Sequence, residues 1–236
     1  MRKVGIHWSV LTIGNLSRNR FWGEDESTAH RAPLCTATLV RAGDAVIVVD
    51  PPLPPEEMPA LLDRRAGLKV SDVTHVYLTH CHGDHRVGLE AFPQAAWQMP
   101  DLEVEFWREH LPAGAAEWEL LTRILPVAAE DAQIAPGVTT LHLPGHTPGL
   151  AGLAFDDRDG FRVVIASDAV MTRDFFEAGE GYFNSFDFTL AGKSIDRVRS
   201  EADIIVPGHD NYFMPHALAP SHLRMTMGFR HPHTKE

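Results

Sequence analysis

Residues 73–85 limit what this chain can become more than any other stretch. Residues 73–78, Val-Thr-His-Val-Tyr-Leu, are an apolar, β-branched run of buried-strand type. The run leads directly into Thr79-His80-Cys81-His82-Gly83-Asp84-His85, a loop crowded with imidazoles and a carboxylate. Such groups repel one another when charged and are hard to desolvate. A divalent cation resolves that conflict, because neutral imidazole and carboxylate are its preferred ligands. A solvated loop with chance histidines is the alternative, and it suits one lone His better than this cluster.

The flanking sequence alternates strand and helix signals. Residues 10–13 read as a first strand and residues 15–29 as a polar loop. Residues 36–40 and 45–49 read as a hairpin turning at Ala42-Gly43-Asp44 and closed by Asp50-Pro51-Pro52. Helical spacing at Met58, Leu61 and Leu62 predicts a helix over 56–66, with Pro54 and Pro55 at its start and Gly67 as its stop. Further helices are expected at 87–92, 101–110, 115–125 and 189–200. Further strands are expected at 95–99, 139–143, 150–155, 162–166 and 203–206. This alternation indicates a layered α/β domain. With no repeat or linker in view, one domain is expected over residues 1–236.

Three more predicted strands run into ligand-type residues, at His146, Asp168 and His209. In α/β proteins, ligands gather beyond the carboxyl ends of strands. Added to the loop at 80–85, these residues give an inventory suited to two metals sharing a carboxylate. Two ions about 3.5–4 Å apart can hold a bridging hydroxide and polarise a substrate oxygen.

His80-Cys81-His82-Gly83-Asp84-His85 resembles the His-x-His-x-Asp-His signature of the metallo-β-lactamase superfamily, and His146, Asp168 and His209 resemble its remaining ligand positions. The resemblance implies an αββα sandwich, two mixed sheets face to face with helices outside. It implies that His80, His82 and His146 bind one metal, that Asp84, His85 and His209 bind a second, and that Asp168 bridges them. Zinc is the default, with iron or manganese also compatible with these ligands. By the same resemblance Asp84 is a catalytic proton shuttle. Asp50 and Thr79 are candidates to orient the ligand imidazoles, although Asp50 could equally stabilise a turn before proline.

Within the superfamily the compact length and Gly145-His146-Thr147-Pro148-Gly149 resemble the N-acyl homoserine lactonase branch. Asp168, where true metallo-β-lactamases tend to carry Cys, disfavours antibiotic hydrolysis. With 27 residues after His209 (236 minus 209), the extra domains of glyoxalase II or flavodiiron proteins are not expected. One position departs from the branch: its lactone-contacting Tyr is replaced by Met171, which cannot donate a hydrogen bond. Tyr182 is the candidate substitute. Residues 170–188 carry Met171, Phe175, Phe176, Tyr182, Phe183, Phe186 and Phe188. They read either as an apolar wall for an acyl or aryl group, with Met171, Tyr182 and Phe183 as substrate contacts, or as a buried loop closing one end of the sandwich.

The expected activity is hydrolysis of a small ester, lactone or thioester by a metal-bridging hydroxide. The rivals are a phosphodiesterase or nuclease on the same metals, a mono-iron enzyme like the persulfide dioxygenases, and a non-catalytic binding domain. A formal net charge of −11 and few Lys or Arg near the ligands weigh against nucleic acid and phosphate. A small-molecule substrate is therefore expected. No apolar run approaches membrane-spanning length and no secretion leader is evident, so a cytoplasmic protein is expected. Cys35 and Cys81 are the only cysteines. They read as unpaired, Cys81 as a packing residue. The tail, residues 215–236, reads first as a solvated end; packing on the domain or on a homodimer partner, or weak metal binding by its histidines, are the alternatives.

Overall fold

A computed structural model describes residues 5–215 of the chain. The tail expectation therefore lies outside the described residues. Two sheets form the centre. The first contains β1 (His7–Val10), β2 (Thr38–Ala42), β3 (Ala45–Val49), β4 (His75–Tyr77), β5 (Ala96–Pro100) and β6 (Leu125–Val127), in that spatial order. Strands β1 to β3 are antiparallel, and β3 to β6 run parallel. The second sheet contains β7 (Gln133–Ala135), β8 (Val138–His142), β9 (Ala151–Asp156), β10 (Arg162–Ser167) and β11 (Ile204–Pro207), ordered β11-β10-β9-β8-β7. Only the β10–β11 pair is parallel.

The period of two along each strand sorts side chains between layers. Ile47, Val49, Tyr77, Leu153, Phe155, Val163 and Ile165 meet in a core between the sheets. Their neighbours Val48 and Val76 point the other way, against helices α1 (Met58–Ala66), α2 (Asp101–His110) and α3 (Glu117–Arg123). Ala154 and Val164 likewise point outward, against α4 (Arg173–Ala178) and α5 (Phe188–Glu201). The result is the expected αββα sandwich. Truncating a fully buried residue such as Leu62 in α1 to Ala would cost about 2–5 kcal/mol.

Helix α1 ends at Gly67, whose φ of 62° lets its N–H cap Asp63 and Leu62 carbonyls. Four expectations need correction. The first strand is His7–Val10, not 10–13: the alternating His7-Trp8-Ser9-Val10 pairs with β2, and Ile13 is exposed. Residues 87–92 hold only a single 3-10 turn, Leu89–Ala91. Helix α3 stops at Arg123, because Leu125 begins β6. Helix α4 arises inside the aromatic stretch at 170–188. No helix among the described residues is long and apolar enough to cross a membrane.

Candidate metal centre

Strand register brings the loops of both sheets together. Parallel pairing of Val49 with Tyr77 sets the ends of β3 and β4 side by side. Asp50 and Thr79 therefore adjoin, and Thr79 N–H donates to Asp50 Oδ1 at 2.8 Å. Parallel pairing of Ser167 with Pro207 does the same for β10 and β11, placing Asp168 beside Gly208 and His209. Two ties join the sheets at this end: Tyr77 Oη donates to the Ala151 carbonyl at 3.0 Å, and Ala151 N–H donates to that of Thr79 at 3.2 Å.

All seven residues singled out as metal ligands lie at this end, in two groups. His80, His82, His146 and Asp168 form one, and Asp84, His85 and His209 the other; within each, one donor atom per residue falls within 4.8 Å of the rest. His82 Nδ1 lies 3.1 Å from His80 Nε2 and 2.9 Å from His146 Nε2. Asp168 stands between the groups. Its Oδ2 faces His146 Nε2 at 3.3 Å and His80 Nε2 at 3.7 Å. Its Oδ1 faces His85 Nε2 at 3.2 Å and His209 Nε2 at 3.3 Å. Asp84 Oδ2 is 3.7 Å from His209 Nε2.

On three of the ligand imidazoles the remaining nitrogen faces a fixed partner, whereas His146 Nδ1 is buried without one. His85 Nδ1 lies 3.0 Å from Asp50 Oδ2, an oxygen that also accepts from the Thr79 and Ser167 hydroxyls. His80 Nδ1 faces Thr79 Oγ1 at 3.1 Å. His209 Nδ1 faces the Asn15 and Leu34 carbonyls at 3.1 and 2.9 Å. Those backbone acceptors make Nδ1 the protonated nitrogen and leave Nε2 free as a ligand atom. Asp50 thus does more than stabilise a turn. Ser167, absent from the sequence reading, completes the network from a strained backbone position with φ of 48°.

The electrostatics suit a cation. Burial pushes His80 well below its ordinary range, His82 below it, and His146 down to about 3, so all three are neutral near pH 7. Burial opposes charge on His85 too, but Cys35 and the Asp168 and Asp50 carboxylates outweigh it and raise that imidazole well above its ordinary value. Burial likewise works against His209, which Asp168 nonetheless raises. Burial would lift the Asp168 carboxyl; His85 and His209 hold it well down instead. His85 Nε2 and Asp168 Oδ1 are buried without a hydrogen-bond partner. Buried orphan donors and acceptors of this kind are costly, and a shared cation is the partner that would satisfy both. The donor set therefore fits the metals that the sequence implies.

A cavity of about 260 Å³ opens beside Asp84, His82, His146, Asp168 and His209. Met171, Tyr182 and Phe183 all line it, together with Leu16 from the N-terminal loop. Met171, Phe175 and Tyr182 pack into a small core with Leu16, while Phe183 is exposed. The Tyr182 hydroxyl donates to the Arg18 carbonyl at 2.8 Å, which commits its proton to the N-terminal loop. Cys81 packs half-buried against the helix-side core, and neither it nor Cys35 is in a disulfide.

Two mixed sheets between helices, with His and Asp donors gathered at their strand ends, define a metallohydrolase of sandwich type. The chain belongs to the metallo-beta-lactamase superfamily, whose profile matches residues 31–209, and is a hydrolase of that superfamily. It is similar to an N-acyl homoserine lactonase of Bacillus cereus, 28% identical over 228 residues and covering 86% of each chain. Its fold resembles that of an AiiA variant from Bacillus thuringiensis with N-decanoyl-L-homoserine bound at its active site (TM-score 0.67, 23% identity, 89% of this chain and 94% of that one). It also resembles AidC, a dizinc quorum-quenching lactonase (TM-score 0.66, 17% identity, 92% and 89% of the two chains).

Proposed function

We propose that the chain is a dinuclear metal-dependent hydrolase of small carboxylic esters, lactones or thioesters. His80, His82 and His146 hold one metal, Asp84, His85 and His209 the other, and Asp168 bridges them. Zinc is the first choice, in line with the dizinc AidC. When bound, such a pair supplies an activated water and a Lewis acid for the substrate's oxygen.

The observation that carries this reading is the placement of Asp168, whose two carboxylate oxygens each face a different pair of imidazoles. The protein's own groups do the rest. Asp84 lines the cavity with a partly exposed side chain and can carry a proton to the leaving oxygen or sulfur. Leu16, Met171 and Phe183 offer an apolar wall to the acyl part and exclude water from it. No Lys or Arg lines the cavity among the described residues, which disfavours a phosphodiester. The lactonase relative ranks lactones first among the candidates. The two free cysteines accord with action in the cytoplasm.

The test is a hydrolysis panel of aryl esters, acyl lactones, thioesters and bis-aryl phosphodiesters on metal-loaded protein. Turnover of a carboxylic substrate that a chelator abolishes and zinc restores is expected. Cleavage of phosphodiesters alone would overturn the proposal.

A further inference from the structure

Glu103 lies in the first turn of α2, and its carboxylate is fully buried. It pairs with no cation among the described residues. Instead its Oε1 accepts the Cys81 N–H at 3.0 Å and its Oε2 accepts the Gly149 N–H at 3.0 Å. Cys81 separates His80 from His82, and Gly149 follows His146 by one short turn. One side chain therefore ties together two loops that arise from different sheets. The contact with the second loop is close: a Cβ on Gly149 would lie 2.2 Å from Glu103 N and 2.5 Å from Leu102 C. No comparable bond runs from Glu103 to Asp84, His85 or His209.

We propose that Glu103 is a positioning residue that sets the spacing of His80 and His82 against His146, and so the metal affinity of that group alone. The inference rests on the two-metal reading above. Burying a carboxylate is costly, and the open N–H groups of α2's first turn offset part of that cost. The two accepted N–H bonds give the burial a purpose that helix stability does not. In Glu103→Gln one oxygen still accepts, but the amide NH2 meets the other backbone N–H donor to donor. One loop is then released. Loss of such an outer partner typically weakens a metal site about 10–100-fold.

The test is titration of the metal-free full-length protein with Co2+, followed by visible absorption. Wild type should fill two sites. Glu103→Gln should weaken one by about 10–100-fold and leave the other unchanged. Val104→Ala, a buried change in the same helix, should lower Tm and leave the ratio of the two affinities as in wild type. Equal weakening of both sites in Glu103→Gln, or of neither, overturns the inference. A wild type that binds fewer than two ions overturns the two-metal reading instead. If Glu103→Gln does not fold, hydrogen exchange of metal-free wild type decides: slow exchange of the Cys81 and Gly149 amides supports the tie, and fast exchange of both removes it.

Discussion

Asp50 Oδ2 lies 3.0 Å from His85 Nδ1, so the ring's other nitrogen is turned toward Asp168 Oδ1. Because Asp50 also accepts from Thr79 and Ser167, its position is fixed by β3, β4 and β10 together. In Asp50→Asn one oxygen is replaced by a donor, which must face a hydroxyl or a backbone N–H. Metal affinity should fall about 10–100-fold at the Asp84, His85 and His209 group. Calorimetric titration of metal-free protein reads the effect directly, and wild-type affinity at both groups would refute it.

Stability of the metal-free protein should peak near pH 6.5. His146 is pushed from the ordinary 6.5 to about 3 by burial, so between those values the unfolded chain binds a proton that the folded chain does not. Stability is therefore lost as pH falls through that window. His85 and His209 are raised, so the stability they contribute is full below the ordinary value and lost as pH rises through their folded values. Metal binding requires both imidazoles in their neutral form, so affinity should climb with pH. Urea melts of metal-free protein at several pH values check the peak. Calorimetry in buffers of different ionisation enthalpy checks the proton release.

Gly208 admits no side chain. A Cβ there would lie 1.9 Å from Asp168 Oδ1. Gly208→Ala should therefore displace the carboxylate, abolish turnover and cost about 1–3 kcal/mol of stability. Thermal melts with and without metal separate the two effects: the metal-induced rise in Tm should shrink more than the metal-free Tm falls.

Phe183 is half-exposed on the cavity wall, with the Tyr182 ring and the Arg18 guanidinium packed against it. Phe183→Ala should raise KM for long-chain acyl substrates about 3–10-fold and leave kcat close to wild type, the signature of lost uniform binding. An unchanged KM across every substrate class would remove Phe183 from the binding surface.

Much of this architecture can be read in the chain because its signals are local. The hairpin of β2 and β3, the run of β4 and the helix over Asp101–His110 carry strong periodicity and clear ends. The seven donors are visible because each follows a strand. Strands β6 and β7 escape notice because each has three residues and β6 contains Pro126; pairing with neighbours, not propensity, makes them strands. Helix α4 is hidden by Phe175 and Phe176, which look like a cavity wall and in fact turn into two separate cores. Ser167 and Glu103 could not be found, because their partners lie 117 positions (Asp50) and at least 22 positions (Cys81) away in sequence. A Glu on the first turn of an amphipathic helix has the same sequence signature whether it faces water or a buried loop.

The most direct test of the account is elemental analysis of the purified protein beside its Asp168→Ala variant. Two divalent ions per wild-type chain, with fewer in Asp168→Ala and no detectable hydrolysis by that variant, are predicted. A single iron per chain that survives Asp168→Ala, with oxygen uptake in place of hydrolysis, would contradict it.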